Sequence, residues 1–143
     1  MSVIEVVAAA LFDDLGRVLI AQRPPGKSSA GRWEFPGGKR ELGESHLAAL
    51  ERELFEELGI TVVTEHCEPL MQLEHRQGDR LIQLHFFAVR AWRGELTARE
   101  GQGLLWRSPD DLSDCDILEA DQPFILFLQE PSRAMNGGKV VEG

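Results

Sequence analysis

Apolar and β-branched residues run together from Ile4 to Phe12 and stop at Asp13-Asp14-Leu15-Gly16. Arg17 to Arg23 (RVLIAQR) then alternates in the manner of a strand. The two segments and the turn between them predict a β-hairpin. Pro24 to Arg32 (PPGKSSAGR) reads as a loop long enough to help form a pocket mouth, ahead of a short apolar Trp33-Glu34-Phe35 and a Pro36-Gly37-Gly38 turn. Ser45 to Leu58 contains neither Gly nor Pro, opens on a possible N-cap serine and stops at Gly59, which predicts a helix. Ile60 to Thr64, Leu70 to Arg76, Leu81 to Trp92 and Gly103 to Trp106 read as strands, with Gly78-Asp79 turning between the second and third. Pro109 to Leu112 reads as a helical turn. Asp121 to Glu130 reads as a second helix with Pro123 in its first turn, and residues 131–143 as a frayed tail. Strands on both sides of one long helix predict an α/β fold with a mixed sheet covered by helices.

Length and composition narrow this picture. At 143 residues the chain fits a single domain, 1–143, with a sizeable core. Its 43% hydrophobic and 27% charged residues are those of a globular protein, and no membrane span or leader is expected. Cys67 and Cys115 lie far apart without zinc-site spacing and read as free thiols in a reducing cytoplasm. The net charge of −9 would repel a polyanion, so no nucleic-acid partner is expected. An acidic chain can still bind small phosphates when its carboxylates hold bridging divalent cations.

The first helix carries such carboxylates. Leu47, Leu50, Leu54 and Leu58 fall in one stripe, flanked by Phe55, and predict the core face. Glu53, Glu56 and Glu57 have i, i+3, i+4 spacing and form one patch away from the leucines. Like charges so placed cost a helix about 0.2–0.5 kcal/mol per pair, a cost that a bound cation reverses. A plain solvated acidic face has the same pattern. The Gly37-Gly38 turn, able to expose a backbone carbonyl, and Glu44, a fourth oxygen donor at the loop-to-helix junction, favour a metal site. Oxygen donors without His or Cys select Mg²⁺ or Mn²⁺. Arg52 can order the site through a salt bridge. Glu51, beside the leucine stripe, has no evident role.

Together these residues spell Gly38-x5-Glu44-x7-Arg52-Glu53-Leu54-x-Glu56-Glu57-x-Gly59-Ile60, which resembles the complete Nudix box. Trp33-Glu34-Phe35-Pro36-Gly37-Gly38-Lys39, Arg99-Glu100-Gly101-Gln102 and Ala120-Asp121-Gln122-Pro123 resemble segments of MutT-type nucleoside triphosphate pyrophosphohydrolases. The opening IEVVAAALF, with VLIAQRP and WEF, is also similar to the bacterial CTP pyrophosphohydrolase branch. The resemblance covers Ile4 to Glu130 and implies the Nudix α/β/α sandwich. It implies that Glu53, Glu56 and Glu57 hold the metal with the Gly37 carbonyl, and that Glu100 is a further acidic ligand or base. A water would attack a phosphorus of the triphosphate and release nucleoside monophosphate and pyrophosphate. Whether Glu53 or Glu100 is the general base stays open.

At the substrate end, Arg23 matches a phosphate contact of the MutT-type enzymes, or else forms a salt bridge. Phe35 is placed either to pack against a base or in the core. Asp121 matches an asparagine of MutT. As an ionised acceptor it suits an exocyclic amine or the N7–H of 8-oxoguanine, and protonated by burial it could also serve guanine. Alternatively it N-caps the last helix. His46, His66, His75 and His85 are scattered and read as structural or exposed. The leading expectation is a cytoplasmic, Mg²⁺-dependent enzyme, monomeric or homodimeric, acting on nucleotides such as 8-oxo-dGTP. The alternatives are CTP or a 5-substituted dCTP as substrate, and a Nudix-fold module that binds nucleotides without hydrolysis. The intact glutamates argue against the last of these.

Overall fold

A computed structural model describes residues 2–130; the expected tail at 131–143 lies outside them. Strands are β1 (Ser2–Leu11), β2 (Val18–Gln22), β3 (Trp33–Glu34), β4 (Gly37–Lys39), β5 (Thr61–Val62), β6 (Cys67–Gln77), β7 (Arg80–Val89), β8 (Trp92–Arg93) and β9 (Gly103–Arg107). The helices are α1 (His46–Leu58) and α2 (Gln122–Gln129). One sheet runs β4-β1-β7-β6, a second β3-β2-β9, and β5 pairs with β8. The first is mixed, as expected: β1 is parallel to β7 and antiparallel to β4.

The apolar run at Val7–Leu11 makes β1 a central strand buried on both faces. Alternation sends Val7, Ala9 and Leu11 into one core layer and Ala8 and Ala10 into the other. The first layer is covered by Leu50, Leu54 and Leu58 of α1, the second by Phe124, Ile125 and Leu128 of α2. Each leucine so buried contributes about 1.5–3 kcal/mol. The result is helix, sheets, helix.

The predicted hairpin does not form. Both edges of β1 are taken by β4 and β7, so beyond the Asp13–Arg17 turn only the Phe12–Val18 bridge joins the two segments, and β2 enters the other sheet. Gly37 and Gly38 are strand and not turn, paired with Ala8 and Val7. The long strand expected from Leu81 breaks into β7 and β8, and that from Ile60 shortens to β5 before a 3-10 turn at Thr64–His66.

Helix α1 starts where Ser45 accepts the Ala48 N–H at 3.0 Å and ends at Gly59, left-handed at φ 71°. Its stripe is narrower than expected: Phe55 is 52% exposed, outside the core. No helix among the described residues is long and apolar enough to cross a membrane.

Candidate active site

The site is built where β4 passes beneath α1. A Cβ on Gly37 would strike the Val7 carbonyl, so glycine is demanded there by close approach of backbone, and one on Gly38 would overlap the Glu53 carboxylate and push it aside. Glu53 therefore lies directly on the strand. Arg52 spreads its guanidinium beside it. Nη1 donates to Glu53 at 2.9 Å and to Glu56 at 3.4 Å, Nη2 donates to the Lys39 carbonyl at 2.9 Å, and Nε donates to Glu44 at 2.6 Å.

Glu44 is fully engaged. Its Oε1 accepts from Arg52 Nη2 at 3.0 Å and from the Glu41 N–H at 2.8 Å. The Arg52 hydrogen bond, then that of Glu41, holds its carboxyl down at about 2. Both of its carboxylate oxygens are taken up in fastening Arg52.

Glu57 is treated in the opposite way. Burial first, then the hydrogen bond and charge of Glu53, then the charges of Glu100 and Glu34, raise its carboxyl well above the ordinary range. The Glu57 carboxyl thus lies in hydrogen-bond contact with that of Glu53, in surroundings that penalise its charged form. Glu56 is half exposed, at 52%, and leans toward Arg52.

Glu100 lies near enough for its charge to act on Glu57, on a loop tied to the end of α1. The last carbonyls of a helix need outside donors. Here the Glu57 carbonyl accepts from Arg99 N–H and from Gln102 Nε2, both at 3.1 Å, and the Leu58 carbonyl accepts from the Thr97 N–H at 3.0 Å. Gln102 Oε1 in turn accepts the Glu100 N–H at 2.9 Å. Arg99 stacks its guanidinium over Phe55, 5.3 Å from the ring centre, which accounts for that exposed aromatic.

On the other side, Arg23 donates to both oxygens of Glu34 at 3.2 Å and to the Ser28 carbonyl at 2.6 Å. It is thus an ion-pair residue, as one reading expected, and the pair adjoins the glutamates through Glu34. Phe35 is only 3% exposed, its ring edge-on to Phe124 at 5.0 Å. Its ring belongs to the core, and it offers the site its backbone N–H, which donates to Asp121 Oδ2 at 3.0 Å. Asp121 makes no side-chain cap for α2, which removes the capping alternative. Burial, offset by that Phe35 hydrogen bond, pushes its carboxyl up to about 7.

The sequence profile of the NUDIX domain matches residues 2–128. The CTP pyrophosphohydrolase of Escherichia coli (strain K12) is 42% identical over 125 residues, 87% of this chain and 90% of that one. The chain belongs to the Nudix family. The 8-oxo-dGTP diphosphatase of the same organism is 35% identical over 129 residues, covering 90% and 98%. The solution structure of the E. coli ORF135 protein superimposes with a TM-score of 0.80 at 41% identity, covering 90% of this chain and 89% of that one.

Within this Nudix domain the geometry adds residues that the pattern along the chain did not single out. Glu34 joins the acidic cluster because alternation in β3 turns it away from the side taken by Trp33. Gln102 is 7% exposed and links Glu57 to Glu100. A buried glutamine between two glycines, Gly101 and Gly103, was the available signal. The histidines are not all scattered: His46 and His85 stack at 3.8 Å. With Glu5 they form the one group of three His, Cys, Asp or Glu side chains among the described residues whose ligand atoms lie within 4.8 Å of one another.

Proposed function

We propose that this Nudix protein hydrolyses nucleoside triphosphates to nucleoside monophosphate and pyrophosphate in a Mg²⁺-dependent reaction, with oxidised nucleotides such as 8-oxo-dGTP as substrates. The observation that carries this is the carboxylate cluster on α1: Glu53, seated on Gly38 and held by Arg52, with Glu57 hydrogen-bonded to it and Glu100 and Glu34 close by. A divalent cation would relieve the crowding of these carboxylates, and an oxygen-only donor set fits Mg²⁺ or Mn²⁺. Glu53 and Glu57 would hold the ion, with Glu56, Glu100 and the Gly37 carbonyl completing the set. Bound there, it would neutralise phosphate charge and polarise the attacking water.

The chain's own residues do the rest. Arg52, fastened by Glu44, fixes Glu53 and steadies Glu56. Glu53 or Glu100 takes the proton of a water as its oxygen bonds to phosphorus and the bond to the departing pyrophosphate breaks. Arg23, released from Glu34, would meet a phosphate. Asp121 reads the base.

A second substrate, CTP or a 5-substituted dCTP, is favoured by the CTP pyrophosphohydrolase relative and by Asp121 itself. With its carboxyl near 7, Asp121 offers a donor and an acceptor below neutrality and only acceptors above it. The protonated form suits the N7–H and O6 of 8-oxoguanine; the ionised form suits the amine of cytosine. Pyrophosphate release from a panel of triphosphates tests the reading. The ratio of kcat/KM for 8-oxo-dGTP over CTP should fall as pH rises through 7, and Asp121→Asn should flatten it. Equal rates on every base would refute both specificities, and no release from any triphosphate with Mg²⁺ would refute the enzyme. Cytoplasmic location, a monomer or homodimer, and indifference to nucleic acid complete the proposal.

A further inference from the structure

A cavity of about 490 Å³ opens over the first sheet at the N-terminal end of α1, with His46 and His85 in its wall beside Leu70, Gln72 and Phe87. The mechanism above uses none of these residues. His46 precedes Glu53 by two helical turns, roughly 10 Å at 1.5 Å per residue.

Behind the two imidazoles stands Glu5. Its Oε1 is 2.7 Å from His46 Nε2 and 3.2 Å from His85 Nε2. Its Oε2 accepts from Arg40 Nη2 at 2.6 Å, and Arg40 Nη1 donates to the Glu44 carbonyl at 2.8 Å. The carboxylate is therefore oriented by a cation that leaves one oxygen for the histidines, the outer-shell support that metal-binding carboxylates have.

In a tetrahedral zinc site, bonds of about 2.0–2.2 Å put neighbouring ligand atoms about 3.3 Å apart. The two Glu5–histidine separations lie near that edge, and binding would turn the stacked imidazoles, inclined by 28°, so that both Nε2 atoms face one ion. Two nitrogens and one oxygen leave a fourth position, and the cavity walled by the same histidines gives it room.

We propose that Glu5, His46 and His85 form a second metal centre, for a nitrogen-preferring ion such as Zn²⁺ or Co²⁺, with an open coordination position toward the cavity. Two imidazoles favour such ions over Mg²⁺, which prefers oxygen. The centre is independent of the nucleotide chemistry.

The test uses the full chain, stripped with chelator and titrated with Co²⁺ in excess Mg²⁺, which occupies the box glutamates. Visible absorption reads ligand geometry and equilibrium dialysis reads stoichiometry. The expected result is a single Co²⁺ per chain with an intense low-coordinate band that Zn²⁺ displaces. His85→Ala and His46→Ala should each weaken it roughly 10–100-fold, the scale of losing support at a metal site or more. His46 is 38% exposed, so its variant should keep the fold, checked by circular dichroism. Glu57→Gln should leave the band unchanged. No band, a band abolished by Mg²⁺, or one that survives His46→Ala in a folded protein overturns the proposal.

Discussion

Glu44 and Glu57 flank the same arginine-bearing stretch of α1, yet the fold treats them oppositely. Glu44 is saturated by the Arg52 fork and the Glu41 N–H, and its carboxyl is held at about 2. Glu57 is surrounded by Glu53, Glu100 and Glu34, and its carboxyl is raised. Two glutamates of one motif thus divide into a fastener and a carboxyl whose charged form is penalised by burial and by its acidic neighbours. On the proposed reading, only the second would gain from a bound cation.

The contrast is broken most severely at Glu57. Glu57→Gln should lower kcat by about 10²–10³-fold, the scale of losing one preorganised electrostatic group. The same variant should be more heat-resistant than wild type in chelator at pH 8. A raised folded pKa means that the native state binds the extra proton, so wild-type stability is lost as pH climbs above the unfolded value of 4.5. Glutamine removes that slope, which thermal melts across pH would register.

Gly38→Ala comes next. Its methyl group would displace the Glu53 carboxylate, and a misplacement near 1 Å costs about 10² in rate. Steady-state kinetics with an unchanged far-ultraviolet spectrum would confirm that the damage is local. Arg52→Lys sharpens the other half of the comparison: one ammonium cannot reproduce the fork, and a loss of about 10–100-fold in activity or metal affinity should follow. Gln102→Ala is the mildest. It strips one partner from the Glu57 carbonyl and the Glu100 N–H, costing about 1–3 kcal/mol in denaturant melts with a smaller loss of rate.

How far the sequence could be read follows the range of the interactions involved. Helix α1 was legible because Ser45, Gly59 and the leucine spacing act within a few residues of one another. The Nudix box was legible for the same reason. The β1–β2 hairpin misled because what excludes it, the pairing of β1 with β4 and β7, is non-local. For Asp121 the local pattern left a base contact and a helix cap both open, and only its bond to Phe35 across the fold excludes the cap. That contact follows from the 116–118 segment, where Trp33 N–H donates to the Asp116 carbonyl and Leu118 N–H to that of Trp33. The His46–His85 stack needs α1 laid over β7, which no local pattern announces.

The carbonyls that close the last turn of α1 are held by Thr97, Arg99 and Gln102 from the segment that bears Glu100. Fraying of that single turn would release Glu57 and detach Glu100 in one event. Heat should therefore silence the protein before it melts, with the temperature of half-inactivation lying below the calorimetric midpoint.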